Sequence, residues 1–167
     1  MVCFGIDPGL GTLGYGIVRQ RGDELSALDY GAIKTEPGQP ISARLNELFS
    51  SLEKKIAQHG PDVIAVERLY FGRNTTTAEM VFQARGVALL AASRFGLSPY
   101  EPKPSEVKLA VCGNGAAEKF QVMGMVRNLL NLASDPRPDD AADALAIAIT
   151  GLSLSMYDMR KNGGIGQ

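Results

Sequence analysis

The chain is poor in the residues that build cross-links and soft-metal sites: it has two cysteines, one histidine and no tryptophan in 167 residues. Cys3 and Cys112 alone support neither a disulfide framework nor a cysteine-based zinc site, so a reducing, cytoplasmic home is expected. The single His59 removes any multi-histidine metal site, and any metal chemistry must therefore fall to carboxylates. Long apolar runs are also missing. The longest uncharged apolar-rich stretch, residues 144–156, has 13 residues, well short of the ~20 needed to span a membrane. Residues 1–7 show no basic segment followed by an apolar one and a cleavage site, so no secretory signal is expected. Charge of one sign is absent too: 17 basic against 18 acidic residues give a net charge of −1. A nucleic-acid site, if present, must be a local patch.

With 45% apolar and 21% charged residues the composition is globular, and a chain of this length buries roughly 70% of its unfolded surface. Residues 2–7 and 14–20 read as short β-rich runs joined by a glycine-rich turn, and residues 25–35 as a third strand, which predicts an antiparallel meander. Ile41, Leu45, Leu48, Leu52 and Ile56 have helical spacing, ended by Gly60-Pro61. A short apolar strand over 62–66 runs into Glu67. A long helix over 75–95, a strand near 97–101, helices near 104–111 and 116–130, and a last helix over 139–156 follow. The expectation is one α/β domain over residues 1–156, with a mixed sheet and helices on both faces, and a frayed tail over 157–167. In the 75–95 helix, Ala78, Val81, Phe82, Ala84, Val87, Ala88, Leu89, Ala91 and Ala92 cover more than one stripe. A second face is therefore expected to meet a partner copy.

Gly9-x-Gly11-x-x-Gly14 matches the dinucleotide fingerprint in spelling, but that fingerprint requires a helix to start at the glycines. Here a β-rich segment returns instead, and Asp7 would repel a pyrophosphate. A hairpin turn without ligand is the plainer reading. Glu67 ends a strand that is otherwise apolar on both faces, so its carboxylate needs a cation or a donor. Arg68, next in sequence, points to the opposite face of an extended chain. At the start of the last helix, Asp140 and Asp143 stand three residues apart on the apolar, inward side. Helix capping and dipole compensation account for Asp139, about 100° round, but Asp143 is too deep for a cap.

Asp7, Glu67, Asp140 and Asp143 thus lie at strand ends or a helix start and converge on the sheet. Four such carboxylates cannot all ionise without cations, and oxygen ligands alone select Mg²⁺ or Mn²⁺. Two such ions about 4 Å apart form the arrangement that hydrolyses phosphodiesters.

Ile6-Asp7-Pro8-Gly9 with Gly14-Tyr15-Gly16, Val66-Glu67-Arg68-Leu69-Tyr70, Gln83-Ala84-Arg85-Gly86-Val87 and Asp140-Ala141-Ala142-Asp143-Ala144-Leu145 occur in that order. Together they resemble the RuvC family of bacterial Holliday junction resolvases, over residues 3–152. The resemblance implies a ribonuclease H-like fold, a homodimer, branch-migration proteins as partners, and Mg²⁺-dependent nicking of two opposed strands of a four-way junction. It makes Asp7, Glu67, Asp140 and Asp143 the ligands of two Mg²⁺ ions, departing from the family in the extra acid Asp139. It puts Tyr70 at the aromatic position that stacks on a base at the exchange point, with Phe71 as the competing ring. It matches Lys108 and Lys119 to the lysines beside the scissile phosphate.

From residue 68 to residue 137 nine basic residues face five acidic ones, which is the local surplus that the net charge conceals. Arg73 and Asn74, with the threonines that follow, add phosphate donors. Three other readings remain: a non-cleaving nucleic-acid module, an actin-like ATPase, which needs two such halves, and a related nuclease acting on RNA.

Overall fold

The computed structural model describes residues 1–68 and 75–163, the side chains of 75–77 and 163 excepted. In chain order the elements are β1 (Val2–Asp7), β2 (Thr12–Arg21), β3 (Glu24–Lys34), α1 (Ile41–His59), β4 (Val63–Val66), α2 (Thr75–Arg94), α3 (Pro104–Cys112), α4 (Lys119–Leu129) and α5 (Asp139–Gly163). The sheet order is β3-β2-β1-β4, antiparallel except for the parallel β1–β4 pair. This is the mixed α/β sheet expected from the sequence.

Side-chain alternation divides the sheet into two faces. On β1, Phe4 and Ile6 join Leu13, Tyr15, Ile17, Ile64 and Val66 in a core closed by α1 and α2. The opposite parity sends Cys3, Val18, Val63 and Ala65 into a second core beneath α3, α4 and α5. Asp7 continues the Cys3–Gly5 parity and Glu67 the Val63–Ala65 parity, so both acids emerge on the α5 side. The β1–β4 register, with Ile6 opposite Val66, puts them side by side at the strand ends.

On that face the sheet and α5 meet almost backbone to backbone. A Cβ on Gly14 would run into the Asp140 carbonyl, and one on Gly16 would lie 2.7 Å from the Leu145 amide nitrogen. The helix answers with Ala141, Ala144 and Ala148, all buried. Small residues on both sides let the first turns of α5 sit directly over β1 and β2.

The expected fifth strand is reduced to a single parallel bridge, Ala65 with Tyr100. Tyr100 N–H donates to Ile64 O at 2.8 Å and Val66 N–H to Tyr100 O at 2.9 Å, and Pro102 cuts the ladder short. The helix expected from residue 116 starts at Lys119, where the Glu118 amide donates to Gln121 Oε1 at 2.8 Å. The expected frayed tail from residue 157 is instead helical: α5 runs past Met156 to Gly163, and Tyr100 Oη donates to Asp158 Oδ2 at 2.9 Å. Residues 164–167 lie outside the described set.

Candidate active site

A cleft of about 200 Å³ opens at the ends of β1 and β4. Its lining includes Asp7, Glu67, Lys108, Lys119 and Asp143, with Val107, Val122 and Ala146 as the apolar floor. Three separate layers of the fold supply the polar groups. The sheet gives Asp7 and Glu67, α5 gives Asp143, and α3 and α4 give the lysines. Asp140 is not part of this lining but its charge reaches Asp7, from the α5 turn that rests on Gly14. A larger surface depression of about 560 Å³ lies at the β2–β3 turn among Arg19, Arg21, Asp23 and Glu24, remote from the strand ends.

Burial first, then the charges of Asp143 and Asp140, push Asp7 from its ordinary 3.8 up to about 7, against a lowering pull from Lys119. Glu67 rises from 4.5 to about 7, again through burial first and then through Asp7 and Asp143. Two neighbouring carboxylates that hold their protons to near neutrality are a site short of positive charge. Lys119 supplies part of it: its Nζ lies 3.0 Å from Asp143 Oδ2 and 3.8 Å from Asp139 Oδ2. The hydrogen bond to Asp143 is the main reason that its ammonium titrates above the usual lysine range.

Asp139 stands with Asp140 in the first turn of α5, where its charge complements the helix dipole, and its Oδ1 accepts from Arg137 Nη1 at 2.8 Å in an exposed ion pair. The basic surplus is partly consumed in the same way: Arg85 pairs with Glu101, Arg94 with Glu53 and Arg127 with Asp135. Of the described basic residues between 68 and 137, Arg68, Lys103 and Lys108 have no ion-pair partner. Tyr70, Phe71, Arg73 and Asn74 fall outside the described residues.

A model of the crossover junction endodeoxyribonuclease RuvC family matches residues 3–151. The chain belongs to the RuvC family. Among named RuvC proteins, that of Heliobacterium modesticaldum is 56% identical over 149 residues, covering 89% of this chain and 92% of the relative. That of Chloroflexus aggregans is 52% identical over 149 residues, covering 89% and 91%. Thermus thermophilus RuvC is similar in structure, with a TM-score of 0.88 and 36% identity over 95% of this chain and 97% of that one. The same protein in complex with a Holliday junction substrate matches with a TM-score of 0.90, at 36% identity over 95% and 96%.

For a RuvC chain the metal question turns on the donor set. Among the described residues no three acidic, cysteine or histidine side chains stand close enough to share one ion as they lie. The donors are nevertheless oxygen only, half-buried and short of counter-charge, which fits a hard divalent cation. What the RuvC motifs include without a role is Arg85. Its Nε donates to the Glu67 carbonyl at 3.3 Å while its Nη2 pairs with Glu101. The signal was present in the sequence: Val81, Phe82, Ala88 and Leu89 offer Arg85 no acid at i±3 or i±4.

Proposed function

We propose that the chain is a metal-dependent endonuclease that resolves four-way DNA junctions by paired, symmetric nicks near the crossover, acting in recombination and repair within the cytoplasm. The observation that carries this reading is the cleft in which the strand-end acids Asp7 and Glu67 meet Asp143 of α5 and the ammonium of Lys119.

Two Mg²⁺ ions, replaceable by Mn²⁺, would be held by Asp7, Glu67, Asp140 and Asp143; they supply an activated water on one side of the phosphodiester and charge stabilisation of the leaving oxygen on the other. The chain's own residues do the rest. Asp7 and Glu67 are carried by two hydrogen-bonded parallel strands, so their separation is set by the sheet rather than by loop conformation. Because both hold protons to about pH 7, they bind a cation only by giving those protons to solvent. Lys119, paired with Asp143, lines the same cleft, where its ammonium would face the phosphate whose charge grows in the transition state. Lys108 lines the same cleft without an ion-pair partner, available for a phosphate oxygen.

Tyr70, Arg73 and Asn74 take the DNA beyond the cleft, Tyr70 by stacking on a base that the crossover leaves unpaired, the arginine and asparagine on phosphates. Two opposed strands need two sites, supplied by a homodimer through α2, and branch-migration proteins act as partners. On α2, Met80 and Leu90 are exposed at 39% and 55%, which supports the dimer face.

Incubation with labelled four-way junction, linear duplex and structured RNA, with and without Mg²⁺, tests the reading. Paired nicks confined to the junction and to Mg²⁺ are expected. Equal cleavage of RNA would replace it with the RNA nuclease reading, and binding without cleavage with the non-cleaving module.

A further inference from the structure

Glu67 is the last residue of the β4 extension, and its main chain is held from two directions. Its N–H donates to Ile6 O at 3.3 Å, tying it to the strand that carries Asp7. Its C=O accepts from Arg85 Nε at 3.3 Å, from α2 on the opposite side of the sheet. The same guanidinium pairs through Nη2 with Glu101, whose neighbour Tyr100 is bridged to β4 and whose other neighbour, Pro102, accepts the Arg68 N–H at 2.9 Å. The Arg85 side chain is only 16% exposed, and its donors are directed at two protein acceptors.

We infer that Arg85 is a positioning residue: its planar fork clamps the Glu67 carbonyl and Glu101 together, and so fixes the direction in which the Glu67 carboxylate enters the cleft. Three features carry this. The fork spans two acceptors that a single ammonium cannot serve with the same geometry. Glu101 lies two residues before Lys103, the residue that caps α3, so the clamp also joins Glu67 to the helix that brings Lys108 to the cleft. The clamp arises from α2, the helix proposed to meet the partner copy, which gives the assembled dimer a mechanical link to each site. Arg85 itself is absent from the cleft lining that includes Asp7, Glu67 and Asp143, so it acts through Glu67 and not on the reacting phosphate.

The role of Glu67 as a metal ligand rests on the proposed function, and the test separates the two. Arg85→Met keeps an unbranched apolar stem but removes both donors; Arg85→Lys keeps the charge but not the fork; Glu101→Gln keeps an acceptor for Nη2. Calorimetry of Mg²⁺ binding to the DNA-free protein is read beside junction nicking. Arg85→Met is expected to weaken Mg²⁺ binding about tenfold and to lower kcat by a similar factor, the usual loss when a group supporting a metal ligand is removed. KM for the junction should stay within about twofold and the metal-free melting temperature within a few degrees. Arg85→Lys should fall between, and Glu101→Gln should lose no more than a few-fold. Should Arg85→Met fail to fold, weakened Mg²⁺ binding in a folded Arg85→Lys supports the inference. Unchanged Mg²⁺ binding and kcat in Arg85→Lys and Arg85→Met overturns it, as does a raised KM with unchanged kcat, which would make Arg85 a direct DNA contact. A wild-type protein that binds Mg²⁺ but leaves junctions intact refutes the proposed function alone.

Discussion

Replacing Asp7 with asparagine should make the metal-free protein more stable while abolishing its activity. The folded-state titration of Asp7 near 7, against an ordinary 3.8, means that folding disfavours the ionised form. Where the native state binds more protons than the unfolded chain, stability falls as pH rises. The loss sets in as pH passes 3.8 and is complete above about 7. A rise of roughly three pH units corresponds to about 4 kcal/mol at 1.36 kcal/mol each. Water reaches this cleft, and halving the figure for screening leaves about 2 kcal/mol. For a chain of this size that is a gain of about 4–8 °C in melting temperature. Thermal melts of wild type and Asp7→Asn in chelator should therefore differ little near pH 4 and diverge by that amount at pH 8. Added Mg²⁺ should reverse the order, since it stabilises only the protein that binds it, by about 2.7 kcal/mol at a hundred times the dissociation constant. An Asp7→Asn protein that melts at or below the wild type at pH 8 in chelator would refute the electrostatic argument. A pH-independent difference would place the effect in packing instead.

Two further outcomes bear on the same cleft. Nicking should fall steeply below about pH 7, where Asp7 and Glu67 regain their protons, and raising Mg²⁺ should move the midpoint to lower pH because protons and cation compete for the same oxygens; a midpoint unaffected by Mg²⁺ counts against carboxylate ligation. Asp143→Asn should lose nicking by orders of magnitude while keeping junction affinity, whereas Asp139→Asn, which gives up an exposed pair with Arg137 and a longer one of 3.8 Å with Lys119, should stay within a few-fold of wild type in single-turnover assays; the reverse ranking would reassign the two acids.

Much of this site is legible from parity and spacing. Asp7 and Glu67 continue the alternation of residues that must be buried, so a reader of Cys3-Phe4-Gly5-Ile6-Asp7 and Val63-Ile64-Ala65-Val66-Glu67 can place both acids on one face without coordinates. Asp140 and Asp143 follow from helical spacing in the same manner. The errors lie where a local pattern competes with a distant partner. Asp139 is legible as a first-turn acid, but its pairing with Arg137 is not. The tail over 157–167 looks too polar and glycine-rich for order, yet residues 157–163 prolong a helix already seated on the sheet, and the Tyr100–Asp158 hydrogen bond ties that extension down. The 97–101 segment has strand composition, but Pro102 leaves too few amides for a ladder. Arg85 lies inside the Gln83–Val87 motif, yet its role is not legible there because its acceptors, the Glu67 carbonyl and Glu101, come from elsewhere in the fold.

The glycine–alanine seam between α5 and the sheet divides the site mechanically. With backbone resting on backbone there are no long side chains to repack, so the start of α5 has no soft layer in which to rock or slide against β1 and β2. Asp7, Asp140 and Asp143 therefore behave as one cast block. Glu67 is tied to the same sheet through the β1–β4 ladder and is clamped from α2 by Arg85, whereas Lys119 stands at the first residue of a separate helix. Adjustment of the site to substrate or to cation must come from Lys119, while the acids supply the fixed reference against which it moves.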